Sequence, residues 1–148
     1  ITHVTLELIH IIAETFQKSF RFVTAHILVP LLIGACLYVF FRGIPRLQLQ
    51  PYFNMQSYFT GAQFILYSLP DGLWLYALLS AMHLIWASEQ RKKMIWVLCI
   101  CSATLSTEVL QHRQLLPGVF DWLDLLAYFL AMILFFNINK IQFIKNNT

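Results

Sequence analysis

Charged residues are scarce in this sequence. Its 148 residues include 10 lysines and arginines and 7 aspartates and glutamates, so 11% are charged while 59% are apolar. A soluble domain usually carries about twice that share of charge. The composition therefore excludes an ordinary water-soluble fold and predicts an all-α polytopic membrane protein. The lack of a long basic run also argues against a nucleic-acid partner.

Cysteine is sparse as well, and the sequence lacks the patterns of common cofactor sites. Cys36, Cys99 and Cys101 lie inside apolar runs, where small core residues are expected and a disulfide framework or a metal site is not. The sequence also has no Ser-His-Asp order, no phosphate-binding glycine loop and no zinc motif. We therefore predict no metal and no cofactor, and these patterns leave open whether the protein is an enzyme.

Long apolar runs, by contrast, are frequent. The first contains 20 residues without an Asp, Glu, Lys or Arg, which is the length that crosses the hydrocarbon core of a bilayer. The sequence predicts a single membrane domain, residues 1–148, with about four transmembrane helices. The predicted spans are residues 22–41, 73–87, 94–111 and 120–137.

Two further segments are predicted to lie at the membrane surface. Residues 1–21 have polar side chains every three or four positions, which is typical of an amphipathic helix. Residues 57–69 are too short to span and predict an interfacial or re-entrant helix. A sharper interpretation of the first segment is half of a carboxylate-bridged metal site at Glu7 and His10, although the sequence holds no second such motif. The polar residues of the first segment are His3, Glu7, His10, Glu14 and Lys18.

Basic residues are distributed unevenly about the four predicted spans. Seven lysines and arginines fall on the side of the two termini and three on the other side, which predicts that both termini are cytoplasmic. The tryptophans lie at span ends, as expected for interfacial side chains. The seven are Lys18, Arg21, Arg91, Lys92, Lys93, Lys140 and Lys145, and the three are Arg42, Arg46 and Arg113.

The remaining polar residues meet where the third span ends and the second and fourth begin. Carboxylates at the edge of a membrane are costly and usually functional, so we predict a ligand-binding site there. Glu108 and Asp124 are the candidate acid and base if the site is catalytic. Glu108 is predicted to be either protonated or paired, and His112 and Arg113 are the nearby cations that could pair with it. The predicted ligand-binding residues are Asp71, Glu108, Gln111, Arg113, Asp121, Asp124 and Tyr128.

Helix capping is the alternative explanation for two of these residues. Asp71 precedes the predicted second span and Asp121 lies at the start of the predicted fourth, and Asp is a favoured N-cap residue. Capping explains Glu108 and Asp124 less well. Glu108 lies near a helix C-terminus, where negative charge is unfavourable, and Asp124 shares a helix face with Tyr128.

Three short motifs carry a resemblance to a known family. They are Pro70-Asp71-Gly72-Leu73-Trp74-x-Tyr76, Thr107-Glu108-x-x-Gln111 and Leu116-Pro117-Gly118-x-Phe120-Asp121-x-x-Asp124. In this order they resemble the VanZ-like family of small bacterial membrane proteins, over roughly residues 69–134. Val119 stands where that family often has Arg, and Tyr128 where it often has Asn. The resemblance implies a bacterial cell-envelope location and, for the named member, a role in glycopeptide-antibiotic resistance.

Three functions are consistent with these patterns. The first is an accessory protein of the bacterial cytoplasmic (inner) membrane whose outer polar site binds an envelope component or a partner subunit. The second is an enzyme acting on a lipid or glycolipid headgroup, and the third is a structural subunit of a larger membrane complex. The expected partners are membrane lipids, a lipid-linked envelope precursor and other membrane protein subunits.

Overall fold

The computed structural model describes residues 2–41, 64–118 and 120–146, and every regular element in these ranges is a helix. The all-α prediction is therefore confirmed. A π-helical turn, Thr24–Leu28, joins the first two helices, and a second, Phe64–Ser68, leads into the third. The helices are α1 Thr2–Val23, α2 Val29–Phe41, α3 Leu69–Ile85, α4 Gln90–His112 and α5 Trp122–Asn146.

Four helical segments are long and apolar enough to cross a membrane, as predicted. They are His10–Val39, Phe64–Ile85, Gln90–His112 and Trp122–Asn139. The protein is thus a multi-pass membrane protein by the length and composition of its helices. Their bounds differ from the predicted ones, chiefly because the first two spans begin earlier.

Both early starts occur because segments that were predicted to be separate form one continuous helix, and each of these helices contains a proline. The predicted break near residue 21 is absent, because α1 runs through the first π-helical turn into α2, and Pro30 follows that turn. The predicted break at Pro70 is absent for the same reason, since Phe64–Ser68 continues directly into α3. A proline inside an α-helix lacks an N–H and clashes with the carbonyl four residues earlier. A wider turn just before the proline relieves that clash, so each helix continues.

Helix α3 lies at the centre of the bundle and packs against α2, α4 and α5. Leu75 and Leu79 of α3 meet Val97 of α4 and Phe135 of α5 in the buried core. Helices α3 and α5 come close together at Gly72, where an added Cβ would lie 2.9 Å from the carbonyl oxygen of Ala127. Small residues at such crossings let membrane helices pack through backbone contact.

The two ends of the bundle differ in charge. At one end, which we name the acidic end, α4 finishes and α3 and α5 begin, and the four residues Asp71, Glu108, Asp121 and Asp124 lie there. At the opposite end, which we name the basic end, α3 finishes and α4 begins with Gln90-Arg91-Lys92-Lys93. There Lys92 Nζ lies 2.8 Å from Glu89 Oε2 and 5.0 Å from the centroid of the Trp86 ring.

Helix α1 differs from the others in its exposure. Every side chain from His10 to Arg21 is exposed, including the apolar Ile11, Ile12 and Phe16. The segment predicted to be an amphipathic helix, residues 1–21, is helical from Thr2 onward. No other described helix packs over its side chains between His10 and Arg21. The predicted interfacial helix at residues 57–69 lies mostly outside the described residues.

Candidate functional site

Glu108 is the buried carboxylate of the acidic end. It lies on α4 one turn before the helix ends at His112, and only 4% of its surface is exposed. The backbone N–H of Asp121 donates a hydrogen bond to its carboxylate. The other oxygen, Oε2, is buried and has no hydrogen-bond partner among the described residues. The Glu108 side chain is thus turned into the bundle, and one of its oxygens is left without a donor among the described residues.

Asp121 connects two helices through its side chain and its backbone. Its Oδ1 accepts a hydrogen bond from the backbone N–H of Leu123 at 2.9 Å, and its carbonyl oxygen accepts from the N–H of Asp124. These are the contacts of an N-cap residue, so the capping interpretation is confirmed for Asp121. The same residue donates its own N–H to Glu108, which fixes the start of α5 against the end of α4.

Asp71 and Asp124 complete the acidic end. Both are half-buried, and both lie close enough to Glu108, with Asp121, to repel its negative charge. The N-cap interpretation was wrong for Asp71. It lies inside the first turn of α3, since the preceding π-helical turn continues the helix through it. The contact between Gly72 and Ala127 draws the adjacent parts of α3 and α5 together, which explains why the aspartates of separate helices meet.

The predicted cationic partners of Glu108 lie elsewhere. The His112 ring packs on Phe120, with 4.8 Å between ring centroids, and Arg113 is exposed at the C-terminal end of α4. Neither forms an ion pair with an acidic residue in the part of the chain that the structure describes. The pairing prediction was therefore wrong. It depended on proximity in sequence, whereas the side chains around Glu108 come from α3 and α5.

Gln111 and Tyr128 border the acidic end differently. Gln111 lies against Gly118, where an added Cβ would approach the amide nitrogen to 2.5 Å. Gly118 has a φ of +137°, which other residues rarely adopt, so this turn requires glycine. Tyr128 is half-buried and packs against the hydrophobic core one turn beyond Asp124. Gln111 thus supports the loop between α4 and α5, and Tyr128 forms the inner wall of the site.

Metal-binding geometry is not found among the described residues. No group of three or more His, Cys, Asp or Glu side chains there is placed to hold a metal ion. Glu7 and His10 are exposed on α1. The three cysteines are free.

A second polar cluster lies between the first and second membrane spans and consists of His26, Tyr76, Ser80 and His83. The sequence did not predict that these residues come together. Nδ1 of His26 lies 2.6 Å from the hydroxyl oxygen of Tyr76, and Tyr76 is also hydrogen-bonded to Ser80. His83 lies one further turn along α3, beside Phe22. The spacing of Tyr76, Ser80 and His83 on one helix face is a signal that the sequence contains. The sequence contains no signal for the hydrogen bond from this face to His26, which is 50 residues from Tyr76.

Comparison of the chain with known protein families, with curated proteins and with solved structures gave no match. The resemblance to the VanZ-like family stays a prediction. The chemistry of the site must therefore be argued from its own groups. Carboxyl groups accept hydrogen bonds and attract positive charge, so the acidic end suits a ligand that donates hydrogen bonds.

Proposed function

We propose that this protein is an accessory protein of the bacterial cytoplasmic membrane whose acidic end binds an envelope component. The observation that carries the proposal is the buried Oε2 of Glu108, which lacks a hydrogen-bond donor among the described residues. A buried polar atom left without a partner costs about 1–3 kcal/mol. A ligand that donates a hydrogen bond to this oxygen offsets that cost. Ligand binding therefore explains why a buried oxygen without a donor is present in the fold.

The level of the site in the membrane supports a headgroup as the ligand. Glu108 lies four residues before the end of α4, which is about 6 Å along the helix axis. Trp122, at the start of α5, is 72% exposed, and exposed tryptophans favour the headgroup region of a membrane. A site at this depth is reached by the polar part of a lipid or of a lipid-linked precursor.

The proposed orientation places the acidic end outside the cell and both termini in the cytoplasm. Arg91, Lys92 and Lys93 begin α4 at the basic end. At the acidic end, Arg113 is the one lysine or arginine among the described residues. Basic residues favour the cytoplasmic side, so the envelope component is one of the outer leaflet.

Lipid analysis of the purified protein tests the proposal. The wild type and Glu108→Gln would be purified in mild detergent. Their bound lipids and lipid-linked precursors would then be extracted, identified and quantified by mass spectrometry. Gln keeps the shape of the side chain and removes its charge, so we expect at least a tenfold loss of one retained species. Glu89→Gln is the matched control, because Glu89 is an exposed carboxylate at the basic end. If Glu108→Gln retains the same species in the same amount, the proposal is wrong.

A further inference from the structure

Two lysines at the basic end lie beside the same turn of a neighbouring helix. Nζ of Lys92 is 5.0 Å from the centroid of the Trp86 ring, and Lys93 lies close enough to His83 for their charges to interact. His83 and Trp86 are three residues apart at the end of α3, so both lie on one side of its last turn. The four residues His83, Trp86, Lys92 and Lys93 therefore border one surface between α3 and α4, which we name the lysine face.

The positive charge of the lysine face is only partly balanced. The carboxylate of Glu89 pairs with Lys92 at 2.8 Å. Lys93 is half-buried, and no acidic side chain in residues 2–41, 64–118 and 120–146 forms an ion pair with it or with the neighbouring Arg91. One carboxylate thus accompanies three cations, and an anion that binds here lowers their mutual repulsion.

A role in membrane orientation explains these charges but not the position of Lys93. Basic residues that only set the orientation need no contact with another helix, and Arg91 and Lys92 are accordingly exposed. Lys93 is instead half-buried beside α3. Basic side chains also destabilise the N-terminus of a helix, and the first turn of α4 contains no acidic residue to offset this effect. A bound anion would supply the missing negative charge.

The depth of the lysine face matches that of the lipid phosphates. Helix α4 has 23 residues and is about 35 Å long, so it exceeds a hydrocarbon core of about 30 Å and its first turn reaches the headgroup region. The long side chain of a lysine can extend from the edge of the core to the headgroups, and tryptophan rings such as Trp86 favour the same level. A ligand at this depth is one that the membrane itself supplies.

We propose that the lysine face binds the phosphate of an anionic phospholipid, with Lys93 as the main contact and Lys92 beside it. The headgroup carries a net negative charge, as in phosphatidylglycerol, because a zwitterionic headgroup would bring its own cation close to the two lysines. This inference goes beyond the proposed function, since it concerns the opposite end of the bundle and does not depend on a ligand at Glu108.

Competition between two lipids tests the proposal. The full-length protein would be purified in mild detergent that contains equal amounts of phosphatidylglycerol and phosphatidylcholine. The molecules of each lipid that stay bound would be counted by native mass spectrometry. A lysine near a membrane surface gives about a fivefold preference for an anionic lipid, so we expect the wild type to retain at least about five times more phosphatidylglycerol than phosphatidylcholine.

Matched variants separate the lysine face from the net charge of the protein. Lys93→Gln should lower the preference about fivefold, and Lys93→Arg, which keeps the charge, should preserve it. Lys92→Gln should have a smaller effect, because Lys92 already pairs with Glu89. Arg113→Gln is the control, since it removes one exposed positive charge at the acidic end, and it should leave the preference unchanged.

The proposal is overturned if the wild type retains the two lipids equally, or if Lys93→Gln leaves their ratio unchanged. It is also overturned if Arg113→Gln lowers the ratio as much as Lys93→Gln does, because the preference would then follow from net charge alone. An excess of inorganic phosphate should not displace the bound phosphatidylglycerol. If it does, the face binds a free anion and the assignment to a lipid is wrong.

Discussion

The side chains of His26 and Tyr76 form a hydrogen bond of 2.6 Å between the π-helical turn of the first helix and the middle of α3. The Tyr76 hydroxyl also shares a hydrogen bond with Ser80. Ser80 is thus a second partner for the Tyr76 hydroxyl, whereas no second side-chain hydrogen-bond partner of His26 is found among the described residues. The pair therefore fixes the position of α2 on α3, in addition to the packing of Trp74 over Gly34.

A double-mutant cycle measures the strength of this bond. We expect His26→Leu and Tyr76→Phe to be coupled by about 1 kcal/mol, because either change alone removes the hydrogen bond and the second then removes nothing more. Stability would be measured by titrating the protein from mild detergent into dodecyl sulfate and following its circular dichroism. Additive effects of the two substitutions would show that the bond does not contribute to stability.

The crossing of α3 and α5 predicts a difference between two glycines. Gly72→Ala should lower stability by about 1–3 kcal/mol, because the new Cβ would meet the backbone of Ala127 at 2.9 Å and the helices would have to separate. Gly34→Ala is the matched control. Its Cβ would meet chiefly the Trp74 side chain, which is 38% exposed and can move, and would reach the backbone only at the Pro70 carbonyl oxygen, 3.3 Å away. The same denaturant titration applies, and equal losses at the two positions would contradict this account of the crossing.

The N-cap of α5 predicts a difference between two substitutions of Asp121. Asp121→Ala should cost about 1 kcal/mol, because the hydrogen bond from the N–H of Leu123 is lost. Asp121→Asn should cost less than half of that, because Asn caps a helix about as well as Asp. Thermal unfolding of the two variants in detergent distinguishes them. A large loss of stability in Asp121→Asn would mean that the charge of Asp121, and not its cap, holds the α4–α5 junction.

The orientation is tested with single cysteines. In a variant without its three native cysteines, the proposed topology, with the acidic end outside the cell, predicts that Arg113→Cys reacts with an impermeant maleimide in intact cells. Lys92→Cys should react only after the membrane is permeabilised. Both positions are exposed, so accessibility in the protein does not limit either reaction. The opposite labelling pattern would reverse the proposed topology.

Local sequence patterns were sufficient to predict part of this structure. The number of spans could be predicted from the apolar runs, because a helix that crosses the hydrocarbon core must be long and apolar. The cap at Asp121 could be predicted because Asp is favoured at the start of a helix. The Pro-Asp-Gly step at residues 70–72 was misleading, since a proline indicates a helix end unless a wider turn precedes it. Nothing in the one-dimensional pattern marks that turn.

The surroundings of Glu108 could not be predicted from its neighbours in sequence. His112 lies on the same helix face, one turn away, yet its ring packs on Phe120. The aspartates near Glu108 are brought there by the contact of Gly72 with Ala127, which depends on two helices that are far apart in sequence. The hydrogen bond between His26 and Tyr76 likewise joins residues that are far apart in sequence. Long-range contacts of this kind require the packed structure.

The continuous helical segment from Thr2 to Phe41 has a consequence for its path through the membrane. At 1.5 Å per residue it is about 60 Å long, which is twice the thickness of a hydrocarbon core of about 30 Å. About half of its length therefore extends beyond the acyl chains, and its N-terminal part exposes Ile11, Phe16 and Phe20. The π-helical turn is where the regular bonding is already interrupted, and there the Thr24 hydroxyl donates to the carbonyl of Phe20 at 2.9 Å. A bend at this level would let the N-terminal part of the helix lie along the membrane surface, with its apolar stripe in the lipid and its charges in water.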